Sequence, residues 1–300
     1  MSKWSDQLIG KVTLKACQRL SRSDLGDGAA GLSAPSREAS SVTDTRHGIR
    51  RPTVADIQAG GFSTPWDAPM VPSFPFSFRN CEILTLYWRT DPEAMAFLLP
   101  PPLEPLGDVV CVHIYRMNDT DWLGPYSEAN VMFGARLPGK IEGAYSPYLV
   151  LSSDIGVAHG REVHGQPKKL GEPALDVRGD LIVGQVRRNG IDVIVGTTPY
   201  KQAPAGANDL KPYFDFATNL NLKAIDHIDG RPAIRQLTSR RLADVTVHEA
   251  WRGPCTVELR ANAQLPVFRL PVLEMLEGFF WRADFNLVPG DVVHDYLEKA

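Results

Sequence analysis

The chain has 300 residues, 43% of them hydrophobic and 22% charged, enough apolar material for one large domain or two ordinary ones. Its 32 basic and 35 acidic residues leave a net charge of −3, so there is no cationic surplus for nucleic acid and no block of like charge. No apolar stretch approaches the ~18 residues of a membrane span, and Cys17, Cys81, Cys111 and Cys255 never fall in a Cys-x-x-Cys pair, a pattern of free thiols in a cytoplasmic protein rather than of a disulfide framework.

Met1 to Leu20 interrupts its apolar residues with Lys11, Lys15 and Arg19, which leaves no continuous secretory core. Ser21 to Pro52 is rich in Ser, Gly, Ala, Asp and Arg and has little to bury against the entropy of ordering. Residues 1–60 are therefore expected to form a mobile extension, followed by a single domain over residues 61–300.

From about Phe62 the texture is strand, turn, strand. Glu82 to Arg89 is strand-prone and apolar on both faces. Thr90-Asp91-Pro92 then offers a capping residue and a proline for the first turn of a helix that carries Ala94, Phe97 and Leu98 and stops at Pro100. Val109 to Met117 is a second strand, with Val110, Val112 and Ile114 on one face and Cys111, His113 and Tyr115 on the other. Burial on both sides suits the wall of a filled barrel. Further on, Leu181–Arg187 and Ile191–Thr197 flank an Asn189-Gly190 hairpin turn. Asp229-Gly230 and Arg252-Gly253-Pro254 punctuate later strands. Helical periodicity is confined to Asp91–Leu98, Asp154–Glu162 and Pro271–Glu277. The expected fold is mainly β, α+β in class, with antiparallel strands and a few short helices.

Common catalytic signatures are missing. Gly60-Gly61 and Asp27-Gly28 lack the strand-to-helix setting of a phosphate loop, and no Gly-x-Ser-x-Gly elbow occurs. His248-Glu249 opens like a zinc-protease motif, but Arg252 stands in the second histidine's place. His159 and His164 are five apart, a poor ligand spacing, and read as core histidines; no metal site is expected.

The stretch that carries chemistry runs from Asp154 to Gly171. A short helix capped by Asp154 leads through a turn to Pro167-Lys168-Lys169-Leu-Gly171. A lysine pair is ordinarily a solvated surface feature; the apolar setting and the proline-fixed approach argue for more.

Here the sequence resembles the acetoacetate decarboxylase family from about Phe76 to Leu297. The matching pieces are Tyr87-Trp-Arg-Thr-Asp91, Leu123-Gly-Pro-Tyr-Ser-Glu128, Gly160-Arg-Glu162, Pro167-Lys-Lys-Leu-Gly171 and Asp244-Val-Thr-Val-His-Glu-Ala-Trp251. The resemblance implies a cone-like β-barrel, no metal or organic cofactor, a homo-oligomer and a small keto-acid substrate. It also implies that Lys168 is the imine-forming nucleophile and that Glu128 is an active-site carboxylate.

Imine chemistry makes its own demand on the lysine. Attack on a ketone needs a neutral amine, and lowering a lysine pKa of ~10.4 to 7 corresponds to ~4.6 kcal/mol. A cation ~6 Å away supplies only ~2.8 kcal/mol at an effective dielectric of ~20. Lys169 alone is too weak, so desolvation is expected to be the larger influence. A lysine activated in an apolar pocket or beside a second cation is the known device of acetoacetate decarboxylase itself.

Two positions depart from the family pattern. Cys81 stands where the resemblance implies an arginine that holds the substrate carboxylate, and His113 stands where it implies a glutamate. Arg79, two residues before Cys81, would share its face on an extended strand and could supply the missing cation. His113 could carry protons near neutral pH or only fill space. Cys81 reads as an apolar wall residue. The expected catalytic set is Lys168, Glu128 and His113, with Arg79, Cys81 and Lys169 about the substrate. The reaction is decarboxylation of a β-keto acid, or alternatively aldol condensation and dehydration of a 2-oxo acid such as pyruvate with an aldehyde, the activity associated with relatives lacking that arginine and glutamate. A barrel that binds a small acid without turnover is the non-enzymatic alternative.

Overall fold

Strand-forming sequence dominates the computed structural model, which describes residues 43–44, 49–59, 63–70 and 74–298. The chain divides into two units, Met1–Arg51 and Pro52–Ala300. Most of the extension expected over residues 1–60 lies outside the described residues, as does Cys17. In the first unit Thr43–Asp44 pairs antiparallel with Ile49–Arg50.

The second unit begins with helix α1 (Val54–Ala59) and continues with β1 (Phe76–Arg89), α2 (Pro92–Leu98), β2 (Glu104–Met117), β3 (Tyr126–Leu137), β4 (Ile141–Leu151) and α3 (Asp154–His159). There follow β5 (Lys168–Leu170), β6 (Glu172–Arg178), β7 (Leu181–Arg188), β8 (Ile191–Pro199), β9 (Thr218–Asp226), β10 (Pro232–Gly253), β11 (Thr256–Leu259), β12 (Glu274–Leu287) and β13 (Asp291–Asp295). Seven strands form a ring in the order β10–β9–β4–β3–β2–β1–β12, which returns to β10. Its pairings are antiparallel except that of β4 with β9, and β5 also runs parallel to β4. A second, separate sheet, β11–β8–β7–β6, packs against the ring wall.

Both faces of β2 are buried from Val109 to Tyr115, as its composition requires. Val110, Val112 and Ile114 join an outer cluster with Leu175, Ile182 and Val186 of the second sheet. Cys111 and Tyr115 turn inward among Phe78, Leu151, Phe279 and Phe285. The β7–β8 hairpin closes through Asn189 (φ 52°) and Gly190 (φ 75°), the left-handed pair a tight two-residue turn needs.

Three local expectations are corrected. In α2, capped by Asp91, whose Oδ1 accepts from the Glu93 backbone N–H at 2.9 Å, the buried residue is Met95, whereas Phe97 is exposed. No helix forms over Pro271–Glu277: from Glu274 this segment is β12, whose pairing with β1 overrides the local preference. On β1, Asn80 has φ 51°, which breaks the extended alternation between Arg79 and Cys81.

Candidate active site

Lys168 is delivered to the ring interior by a rigid connection. After β4, the Ser153 hydroxyl accepts from the Gly156 N–H at 3.1 Å and starts α3, so the cap falls one residue before the expected Asp154. The helix then widens into a π-turn over Gly160–His164, an irregularity often found at functional sites. Pro167 leads into β5, where the Lys168 N–H donates to Gln166 O at 2.8 Å and Lys168 pairs opposite Leu149. Strand alternation separates the two lysines. Lys168 is 8% exposed and its Nζ donates to Glu128 Oε2 at 3.1 Å. Lys169 turns the other way and donates to the Gln264 carbonyl and side-chain oxygens at 2.8 and 3.3 Å.

Glu128, 5% exposed, sits on β3 between Tyr115 of β2 and Leu151 of β4. The packing that holds the lysine stem is close. A Cβ on Gly160 would overlap Lys168 Cδ and stand 2.7 Å from its Cε.

Lys168 and Glu128 line a cavity of about 40 Å³ together with Tyr115, Tyr126, Gln166 and Arg240, and with apolar walls that include Phe78, Leu242 and Phe285. Burial pushes the Lys168 amine below the ordinary lysine range; Arg240 acts in the same direction, and the Glu128 charge and hydrogen bond oppose both. Burial also raises the Tyr115 and Tyr126 phenols, which remain neutral donors at neutral pH. Gln166 is held by a polar chain: its Nε2 donates to Asn219 Oδ1 at 3.3 Å, and Asn219 Nδ2 donates to Ser146 Oγ at 2.8 Å.

Arg240 comes from β10, opposite Asn219 of β9. It is half-buried and its Nε is enclosed without a hydrogen-bond partner. Among the described residues no carboxylate forms an ion pair with it. Burial works against its charge, and Tyr115, Glu128 and Tyr126 partly offset that effect.

The remaining expected site residues lie elsewhere. His113 is fully buried behind Tyr115, with ring centroids 5.6 Å apart, and is packed by Phe216 and Trp281; it does not line the cavity. Thr85 Oγ1, which accepts from Trp281 Nε1, lies 3.3 Å from His113 Nδ1, and burial pushes the imidazole down to about 3. Cys81 is a buried thiol that does not line the cavity, pushed up to about 12 mainly by desolvation. Arg79 does not share its face. Beyond the left-handed Asn80 it reaches outward to Asp119 at 2.7 Å and to Asp121. His159 and His164 pack edge-on with Phe74 near the lysine stem, and among the described residues no three His, Cys, Asp or Glu side chains gather as metal ligands.

The structure thus brings together Lys168 and Glu128, and adds Arg240, Gln166 and two tyrosines. Gln166 and Tyr126 fall in or beside the sequence blocks read above. Arg240 had no signal of its own, because β10 is far along the chain and only ring closure places it beside β5.

Comparisons with known proteins agree with this architecture. The family model described as "Acetoacetate decarboxylase (ADC)" matches residues 62–297. "Acetoacetate decarboxylase 1" of Mesorhizobium japonicum is 36% identical over 244 residues, covering 81% of this chain and 98% of that protein. A solved acetoacetate decarboxylase superposes with a TM-score of 0.77 at 35% identity, covering 82% of this chain and 100% of the other. The acetoacetate decarboxylase structure from Legionella pneumophila gives 0.71 at 33% identity, with 76% and 90% covered.

Proposed function

The chain belongs to the acetoacetate decarboxylase family, and from that premise we propose that it decarboxylates a small β-keto acid through an imine at Lys168. The observation that carries this reading is the Lys168 amine, enclosed in a cavity and 3.1 Å from Glu128. Desolvation favours the neutral amine, the form that attacks a carbonyl carbon.

In the proposed sequence the Lys168 nitrogen adds to the ketone carbon, and the carbinolamine loses water to give an iminium. The bond from the α-carbon to the carboxylate then breaks. Carbon dioxide leaves, and the electron pair moves toward the cationic nitrogen, giving an enamine. Glu128, within reach of that nitrogen, relays a proton, and the α-carbon is protonated. Water adds to the resulting iminium, the ketone departs and the amine is restored. The balance is one keto-acid anion and one proton in, one ketone and one carbon dioxide out.

The test is borohydride reduction with acetoacetate, followed by peptide mass spectrometry and product analysis. The expected result is a reduced adduct on Lys168, with carbon dioxide and acetone released in the unreduced reaction. A conjugated, ultraviolet-absorbing acid formed from pyruvate and an aldehyde, without acetone from acetoacetate, would establish the aldol reading instead. Binding without adduct or product would reduce the protein to a small-acid receptor.

A further inference from the structure

The Lys168 cavity contains a cation, Arg240, with which no carboxylate among the described residues forms an ion pair, the Glu128 charge only partly offsetting its burial. Lys168 is engaged by Glu128, Lys169 points away to Gln264, and Arg79 is committed to Asp119 and Asp121. Arg240 lines the same cavity as Lys168 and Glu128, with its Nε enclosed and unpartnered and no carboxylate within ion-pair distance among the described residues. A half-buried guanidinium without an anion is costly, because its lost hydration is not replaced. Its planar fork fits a carboxylate with two parallel hydrogen bonds, a geometry the point charge of a lysine cannot reproduce.

We propose that Arg240 is the specificity-determining residue of the site, the group that binds the carboxylate of the incoming keto acid while Lys168 takes its carbonyl. This assignment rests on the keto-acid reading of the Lys168 site. The three functional groups then divide the substrate between β10, β5 and β3: the anion at Arg240, the carbonyl at Lys168 and the mobile proton at Glu128. In a decarboxylation the carboxylate leaves as neutral carbon dioxide, so the ion pair is made in the ground state and given up along the reaction. Its loss therefore falls on KM more than on kcat.

The test separates carboxylate binding from imine chemistry by using ligands that form no imine. Butanoate and its neutral amide, butanamide, are titrated calorimetrically into the wild-type protein, Arg240→Gln and Arg240→Lys, with thermal unfolding as the control for folding. The wild type is expected to bind the anion at least tenfold more tightly than the amide. Arg240→Gln is expected to lose that preference, and Arg240→Lys, which keeps charge but not the fork, to fall between. With acetoacetate, each variant assayed at its own optimal pH, Arg240→Gln is expected to raise KM on the order of 30-fold or more. Equal affinity of the wild type for anion and amide, or an undiminished preference in folded Arg240→Gln or in Arg240→Lys, overturns the proposal. Failure of the imine reading would show separately, as a missing borohydride adduct on Lys168 with anion binding intact.

Discussion

Lys168 and Lys169, neighbours in sequence, occupy opposite sides of one short strand: Lys168 meets Glu128 at 3.1 Å inside the ring, and Lys169 meets Gln264 outside it. The two amines therefore have different chemistry despite their shared motif. The second cation that faces Lys168 is Arg240, supplied by a distant strand, and burial outweighs it as the influence on the amine.

Substitution of the two lysines is expected to give opposite results. Lys169→Met removes an exposed hydrogen bond and should leave kcat within about threefold of wild type, since such surface changes are usually worth ~0.5 kcal/mol or less. Lys168→Ala should abolish both turnover and the borohydride adduct. Steady-state kinetics and peptide mapping of the two variants check this; a dead Lys169→Met with an intact fold would contradict it.

Glu128→Gln separates imine formation from turnover. The carboxylate stabilises the Lys168 ammonium by charge and by hydrogen bond, so its removal should move amine reactivity to lower pH. Borohydride trapping of acetoacetate at neutral pH should survive, while steady-state release of acetone falls by ~10²–10⁴, the usual loss of a general acid or base. Trapping and turnover followed in parallel against pH would expose the opposite order of effects.

Gly160→Ala probes how closely the lysine stem is held. The added methyl would collide with Lys168 Cδ and crowd its Cε and Gln166 Oε1, so the lysine stem has to shift. A displacement of ~1 Å at a reacting group can lower the rate ~10²-fold. Activity should therefore fall by about that factor, measured beside the thermal unfolding midpoint to separate misplacement from unfolding.

Much of the barrel was legible in the sequence because its signals are local. Asn189-Gly190 dictates a hairpin, Asp91-Pro92 starts a helix, and the two-sided apolar pattern of Val109–Met117 announces a strand buried on both faces. Lys168 and Glu128 were legible only through the family blocks that contain them. What escaped depends on tertiary geometry. The left-handed Asn80 turns Arg79 to solvent, β12 forms where a helix was expected because β1 offers an edge to pair with, and Arg240 reaches the site only once the ring closes. Alternation puts His113 on one strand face with Cys111 and Tyr115, but it could not tell the cavity from the packed layer behind Tyr115.

Three buried histidines make the fold sensitive to acid. Burial pushes His113 and His159 down to about 3 and His164 down to about 2, whereas in the unfolded chain they take up protons near pH ~6.5. Between those values the unfolded state binds more protons, so stability is full above pH ~6.5 and is lost as the pH falls. The slope is on the order of 1 kcal/mol per pH unit for each histidine. Thermal unfolding between pH 7.5 and 5 should show a midpoint that drops steeply below pH 6.5; a flat profile would contradict the buried, neutral assignment.

The reactivity of one nitrogen decides the matter most directly. Competitive acetylation of the native protein across a range of pH, with Lys168 and Lys169 resolved by peptide fragmentation, reports the ionisation of the Lys168 amine in place. The expected result is a titration midpoint below the ~10.4 of an ordinary lysine, moving lower still in Glu128→Gln. A midpoint at the ordinary value, unmoved by Glu128→Gln, would contradict a desolvated, neutral nucleophile and with it the proposed chemistry.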